Sequence, residues 1–218
     1  GEFLITTQPV VDLNASGATG TIVIPHFADG GGWTTQIVLV NPSDETLTGT
    51  IQLLDPSGKA VAVSVNAQTS SSFAYFIPAR SSQKLQTSGA PASIQSGSVH
   101  VIPATSTKSP SGLAIFSFRN SGITVTAASA LAVPAGSAFR LYAEAAAATQ
   151  TGVAVANTST NAATVTLELT TLDGSSTGLR GTLSIPANGQ AAVFLNQIPG
   201  FNPLPPSFQG VLRLSSSS

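Results

Sequence analysis

The sequence predicts an all-β protein with two immunoglobulin-like β-sandwich domains in tandem. Polar and apolar residues alternate with period two along several runs, and Gly, Pro and Asn separate those runs at roughly 8–12-residue intervals, as in sandwiches. The sequence also contains an internal repeat. The segment IVLVNPSDETLTGTIQLLDPSG (37–58) is similar to VAVANTSTNAATVTLELTTLDGSS (153–176), and Asn41 matches Asn157. An internal repeat within 218 residues indicates two domains, each near the ~100 residues of such a sandwich.

Further matches extend the two copies. SVNA (64–67) aligns with SIPA (184–187), IP (77–78) with IP (198–199), and GSVHV (97–101) with GVLRL (210–214). The first copy continues with two strand-like runs, GLAIFSFR (112–119) and GITVTAASALAV (122–133), which the second copy lacks. VPAG (133–136) is typical of a break in regular structure. We therefore predict a first sandwich over 13–134 and a second, incomplete sandwich over 135–218.

Two segments need separate justification. AFRLYAEAAAATQ (138–150) has helical propensity, but it aligns with residues 21–36, where a β-branched start and Pro25 favour a strand followed by a loop. Residues 139–144 are accordingly predicted as a strand. IPGFNPLPP (198–206) contains too many prolines for a ladder and is predicted as a surface loop, with Phe201 and Phe208 turned inward.

The run EFLITTQPVV (2–11) is a strand that the first copy does not need. Its Ile5-Thr6-Thr7 is similar to residues 123–126, which belong to the last strand of copy one. We expect residues 1–12 to form an exchangeable strand that pairs with the second sandwich of a neighbouring copy, and pairing within one chain is the competing geometry. The assembly residues are Phe3, Leu4, Ile5, Thr6, Thr7 and Val10.

Composition excludes several function classes. Charged residues make up 8% of the chain and the formal net charge is −1, which provides no field for attracting nucleic acid. No apolar run reaches the ~18 residues of a membrane span, so insertion is not expected. Cys and Met are both absent, which removes disulfides, thiolate chemistry and soft metal ligands.

Three motifs are candidate sites. PHFADGGGW (25–33) is a candidate ligand loop, in which Trp33 stacks on a sugar, Asp29 accepts its hydroxyls and His26 lies beside them. The favoured interpretation is a glycine-rich corner that lets Trp33 cap the sandwich, because copy two has no comparable loop. Asp44-Glu45 as a calcium site and GSSTG (174–178) as a nucleophile elbow are both disfavoured, since each falls in a turn between strands. The sequence therefore predicts no catalytic residue, metal or cofactor, and no enzyme.

PHFADGGGWTTQIVLVNPS (25–43) and LNQIPGF (195–201) resemble repeat modules of large extracellular proteins of soil bacteria, built from tandem immunoglobulin-like domains. This resemblance covers nearly the whole chain and implies a secreted or surface protein without an established activity. It also implies that EFLITT is the final strand of a preceding unit. A counterpart of 112–119 after Leu214 is missing, which departs from the pattern.

The expected function is that of a non-enzymatic extracellular structural protein. Copies of the chain would assemble head to tail into a filament or surface array by β-strand complementation. Two alternatives remain open: an adhesin or carbohydrate-binding module with surface glycans as its partner, and a spacer fragment of a tandem-repeat surface protein.

Overall fold

The computed structural model describes residues 19–146 and 149–216. Those residues form antiparallel strands and one short 3₁₀ turn, with no α-helix among them, which confirms the predicted all-β class. None of the described segments forms a helix with the length and apolar character needed to cross a bilayer. The predicted assembly strand, from Phe3 to Val10, lies outside the described residues. Backbone contacts divide the chain into unit 1, Gly1–Pro134, and unit 2, Ala135–Ser218.

Unit 1 contains two four-stranded sheets and one small hairpin. Sheet 1A has the order β1-β8-β3-β6, sheet 1B has the order β10-β9-β2-β7, and β4 pairs with β5. The strands are β1 (Ile22–Asp29), β2 (Trp33–Val40), β3 (Leu47–Leu54), β4 (Val63–Val65), β5 (Gln68–Ser70), β6 (Ser72–Ile77), β7 (Ser82–Gln86), β8 (Gln95–Pro103), β9 (Ser111–Asn120) and β10 (Ile123–Leu131).

One apolar core joins the two large sheets of unit 1. Ile51 and Val99 come from sheet 1A, whereas Leu39 and Ala114 come from sheet 1B, and all four are fully buried. The alternating burial along β6 shows why period two predicted strands: every second side chain points into this core. The arrangement is a β-sandwich-like fold.

Unit 2 contains one five-stranded sheet and one two-stranded sheet. Sheet 2A has the order β12-β11-β17-β14-β15, and sheet 2B consists of β13 and β16. The elements are β11 (Ala138–Ala146), β12 (Thr149–Gln150), β13 (Gly152–Ala156), β14 (Ala163–Thr171), β15 (Ser176–Ile185), β16 (Gln190–Phe194), the 3₁₀ turn (Leu195–Gln197) and β17 (Phe208–Ser216).

Two predictions about unit 2 are confirmed. Residues 139–144 lie within β11, so the Ala-rich segment is a strand there because its side chains pack against sheet 2A neighbours and the core. Phe201 and Phe208 are buried in the unit 2 core beside Leu195 and Ile198. The Pro-rich segment therefore closes one side of the sandwich with apolar side chains.

The large sheets of the two units share one strand order, with β11, β17, β14 and β15 in the places of β1, β8, β3 and β6. Asn41 Nδ2 donates to the carbonyls of Glu45, Ile77 and Pro78, and Asn157 Nδ2 donates to those of Asn161, Ile185 and Pro186. Each Asn side chain thus ties the end of one strand to a turn and to the end of a strand in the other large sheet or ladder of its unit.

These bonds correct part of the sequence alignment. Ile77-Pro78 corresponds to Ile185-Pro186, because those carbonyls accept from the two equivalent Asn side chains. The match of 64–67 to 184–187, and of 77–78 to 198–199, is therefore wrong. The hairpin of β4 and β5 is an insertion in unit 1, and SVNA (64–67) in it resembles SIPA (184–187) only locally.

Candidate functional site

The candidate ligand loop is a tight β-hairpin turn. Gly30 and Trp33 exchange two backbone hydrogen bonds of 2.9 Å, and Gly31 and Gly32 between them have φ of 57° and 93°. A two-residue turn with positive φ at both positions is favoured by glycine. The expectation of a strand followed by a loop is wrong, since β1 continues through Pro25 to Asp29, with a bulge between Ile24 and Phe27.

Asp29 is a buried structural residue. Its side chain is 0% exposed, and Oδ1 accepts a 2.7 Å hydrogen bond from the backbone N–H of Gly89. Oδ2 has no hydrogen-bond partner within the described parts of the chain. A carboxylate in this position fixes the segment around Gly89 and does not face solvent, so it is not placed to accept sugar hydroxyls.

His26 and Trp33 do come together, in an aromatic cluster that the sequence did not predict. The Trp33 ring lies 5.3 Å from that of Phe118 and 6.2 Å from that of Phe116, and the His26 ring meets Phe116 edge-on at 5.0 Å. All four side chains are half-buried. Burial lowers the pKa of His26, so its imidazole is neutral near pH 7. The sequence signal for this cluster is the spacing of Phe116 and Phe118, since residues two apart in a strand place both rings on one face of β9.

The remaining candidate motifs have structural roles. Asp44 pairs with the exposed guanidinium of Arg80, which lowers the pKa of the Asp44 carboxyl, while Glu45 contributes its main-chain carbonyl to Asn41. The GSSTG segment begins in the turn between β14 and β15, where Asp173 accepts from the N–H of Ser175. Across 19–146 and 149–216, no group of three His, Asp or Glu side chains is arranged to hold a metal.

One edge of sheet 2B has no described strand beside it, although the equivalent strand of unit 1 is paired on both sides. In unit 1, β2 lies between β9 and β7. The equivalent strand of unit 2 is β13, which pairs with β16, the equivalent of β7, and with no second strand among the described residues. Unit 2 therefore has no described counterpart of β9 or β10. We call the unpaired side of Gly152–Ala156 the β13 edge.

The backbone groups of the β13 edge can be assigned from the ladder to β16. Thr151 O accepts from Leu195 N–H at 3.2 Å, and Asn157 N–H donates to Gly189 O at 2.9 Å. Hydrogen bonds alternate between the two sides of an antiparallel strand. The N–H and C=O groups of Gly152, Ala154 and Ala156 therefore point away from β16.

The β13 edge lacks two of the features that prevent strand addition, because its sequence, GVAVA, contains no charge and no Pro. The outer strands β7 and β15 carry Lys84 and Arg180, whereas β6, β10 and β16 also lack both features. The core beneath it is also less closed. Leu39 in β2 is 0% exposed, but Val155, at the same position of β13, is only partly buried. The edge is therefore a template for another strand.

A scan against protein-family models finds no match, and a comparison with curated proteins finds no relative.

Proposed function

We propose that this protein is a non-enzymatic structural subunit of an extracellular filament or surface array, assembled head to tail by β-strand complementation. The observation that carries the proposal is the β13 edge, an uncharged strand edge above a partly open core. A strand added there forms main-chain hydrogen bonds and places alternate apolar side chains against the core. In this proposal both units are immunoglobulin-like sandwiches, and the added strand fills part of the space that β9 and β10 occupy in unit 1.

The donor in this proposal is the segment 2–11 of a second copy. Within the chain, β10 is the last strand of unit 1 and directly precedes β11, the first strand of unit 2. Residues 2–11 stand in the same place relative to β1, so they occupy the position of the last strand of a preceding unit. When copies are separate molecules, that preceding unit is unit 2 of a neighbour.

This pairing joins two different surfaces, one from each end of the chain. A heterologous contact of this kind produces an open filament when it does not close into a ring. Low charge is compatible with dense packing of subunits, because like-charge repulsion between copies is weak. The extracellular location is supported by the resemblance of PHFADGGGWTTQ (25–36) to modules of extracellular bacterial proteins.

Deletion of residues 1–12 tests the donor. The truncated protein is expected to remain monomeric by light scattering and electron microscopy, with unit 1 still folded because its two sheets are complete. A synthetic peptide of residues 2–11 is expected to bind the truncated protein and raise the melting temperature of unit 2, whereas a scrambled peptide is not. Filaments of unchanged length from the truncated protein, or an intact protein that is monomeric throughout, would contradict the proposal.

Substitution of Ala154 by Pro tests the acceptor. This change removes an N–H from the β13 edge and spares the ladder to β16. Ala192, the partner of Ala154 in β16, is a matched control, because its N–H points to the other side of the same sheet. Ala154→Pro is expected to stop assembly and Ala192→Pro to leave it intact, as measured by sedimentation. Equal effects of the two substitutions would argue against an acceptor at β13.

The aromatic cluster supports a second candidate function, carbohydrate binding. Aromatic faces bind the apolar face of a sugar ring, and Trp33 is joined there by Phe116 and Phe118. Trp33→Ala is expected to abolish any glycan binding detected on an array. Phe76→Ala, which removes an exposed ring from another strand, is the control. If the assembled protein binds no glycan, this second candidate is rejected.

A further inference from the structure

All three cationic side chains of unit 2 lie in one row across sheet 2A. Arg140 of β11 lies opposite Arg213 of β17. Glu168 of β14 lies opposite Arg213 on one side and opposite Arg180 of β15 on the other. The leucines before and after Arg213 and Glu168 are buried, so these charged side chains point to the outer face of the sheet. We call Arg140, Arg213, Glu168 and Arg180 the arginine row.

The arginine row carries more positive charge than its single carboxylate neutralises. Glu168 accepts a 2.7 Å hydrogen bond from Arg213 Nη1 and lies 3.6 Å from Arg180 Nε. Arg140 is exposed and has no ion pair among the described residues. Three arginines and one glutamate give the row a net charge of 3 − 1 = +2. Like charges directly opposite each other on neighbouring strands destabilise a sheet, and Arg140 and Arg213 are such a pair.

Hydroxyl groups lie beside the arginine row on the same face. Thr166 is paired with both Thr182 and Ser215, each two residues from the row along its own strand. The second carboxylate of the face, Glu144, lies four residues from the row along β11, roughly 13 Å away. It accepts a 3.0 Å hydrogen bond from the hydroxyl of Tyr142. The surroundings of the row are therefore polar and uncharged on the side of Thr166.

The fold does not require charge at these positions. In unit 1 the equivalent row contains Val23, His100 and Gln52, since Val23 pairs with His100 and His100 with Gln52. Val23 and His100 are 4% and 7% exposed, whereas Arg140 is exposed and the side chain of Arg213 is 43% exposed. The arginines are thus a feature of unit 2 alone. An anion bound between Arg140 and Arg213 would remove their mutual repulsion.

We propose that the arginine row binds a carboxylate-bearing polysaccharide. A guanidinium pairs with a carboxylate through two parallel N–H···O bonds, a geometry that Lys does not provide. The Cα atoms of Arg140 and Arg213 are on neighbouring strands, about 5 Å apart, and those of Arg213 and Arg180 are two strands apart, about 10 Å. Repeated carboxylates on one extended sugar chain can therefore be bound by successive arginines, while the hydroxyls around Thr166 bond to sugar hydroxyls.

The chemistry of this face favours a polysaccharide over a peptide. Peptide and protein partners are anchored mainly by large side chains in well-packed pockets. The row and its neighbours instead present guanidinium and hydroxyl groups on an exposed sheet face. The row is on sheet 2A and the β13 edge is on sheet 2B, so this binding does not depend on the proposed assembly.

Surface plasmon resonance of the full chain on immobilised polygalacturonate tests the proposal. Every sugar of this polymer carries a carboxylate, whereas dextran, the control polymer, is neutral. The protein is expected to bind polygalacturonate and not dextran, and to bind less tightly as salt is raised, since exposed charges are screened. Absence of binding to polygalacturonate, or equal binding to dextran, would overturn the proposal.

Variants of Arg140 separate binding from folding. Arg140→Gln is expected to weaken binding about 10-fold, because one charged hydrogen-bond donor is lost. Arg140→Glu places a carboxylate opposite Arg213, so it is expected to abolish binding while the melting temperature of unit 2 is unchanged or raised. Arg80→Gln is the matched control, since it removes an exposed arginine from unit 1 with the same change in net charge. Equal weakening by Arg80→Gln, or unchanged binding by Arg140→Glu, would overturn the assigned site.

Two other polyanions are measured in the same way. Vesicles containing phosphatidylserine present an anionic lipid surface, and double-stranded DNA presents phosphates without carboxylates. Both are expected to bind more weakly than polygalacturonate, because they do not combine carboxylates with sugar hydroxyls. Tighter binding to the vesicles or to DNA would overturn the polysaccharide as the partner of the arginine row.

Discussion

Replacement of Asn41 by Ala is expected to lower the free energy of unfolding of unit 1 by about 3–5 kcal/mol. Asn41 is 1% exposed, and its Nδ2 donates to the carbonyls of Glu45, Ile77 and Pro78 at 2.7, 3.0 and 2.9 Å. Its Oδ1 accepts from the N–H and the hydroxyl of Ser43 at 2.9 and 2.7 Å. The side chain therefore joins the end of β2 to its own turn and to the end of β6.

The magnitude follows from these bonds. A typical intramolecular hydrogen bond contributes roughly 0.5–1.5 kcal/mol net, and a buried carbonyl left without a partner costs about 1–3 kcal/mol. Five bonds are lost, but the groups near Glu45 and Ser43 are partly exposed and regain water. The expected loss of stability is therefore smaller than the sum of five full hydrogen bonds and the cost of their unpaired carbonyls.

Urea unfolding followed by Trp fluorescence measures this effect, because Trp33 is the single Trp of the chain and lies in unit 1. Ser43→Ala is the matched control. It removes only the hydroxyl bonds of Ser43, which donates to Asn41 Oδ1 and the carbonyl of Glu45 and accepts from the N–H of Glu45, and is expected to cost about 1 kcal/mol. A loss below about 1 kcal/mol for Asn41→Ala, or equal losses for the two variants, would refute the assigned role of the Asn41 amide.

Three further predictions concern single side chains. Burial raises the pKa of Tyr75 to about 12, and its hydroxyl has no hydrogen-bond partner in the described chain. Tyr75→Phe is therefore expected to leave the urea midpoint of unit 1 unchanged or to raise it. A clear decrease in the midpoint would contradict this. Gly210→Ala would put a Cβ 2.0 Å from Thr170 O, so unit 2 is expected to lose about 1–3 kcal/mol in calorimetry, unlike Gly152→Ala, whose Cβ would meet no atom closer than 3.5 Å. Burial lowers the pKa of His100 below 6.5, so the folded state binds fewer protons than the unfolded state at low pH. The stability that neutral His100 contributes is complete above pH 6.5 and is lost as the pH falls below that value. His100→Gln is expected to make the free energy of unfolding depend less steeply on pH in this range. An equally steep loss of stability in the variant would exclude His100 as the cause of the pH dependence.

Local patterns were sufficient for the fold class and for several individual elements. Alternation along β6 and β14 has period two because successive strand side chains point to opposite faces, so the pattern is visible in the sequence itself. Alignment with residues 21–36 identified residues 139–144 as a strand, although Ala-rich segments favour helix when propensity alone is considered. Asp173-Gly174 also predicted a hairpin turn correctly, because the residues that favour a turn lie next to one another in the sequence.

The candidate site depended on which strands are neighbours, and alternation does not encode that information. Trp33 meets Phe118 across a ladder between strands far apart in sequence, and Asp29 is buried because the segment around Gly89 folds over it. The equivalence of Ile77 to Ile185 became visible only through the bonds of Asn41 and Asn157. The sequence alone therefore determined that the chain forms strands and which side chains face a core. Only the tertiary structure decided that β13 has one neighbour among the described strands where β2 has two, because strand pairing is set by contacts between distant segments.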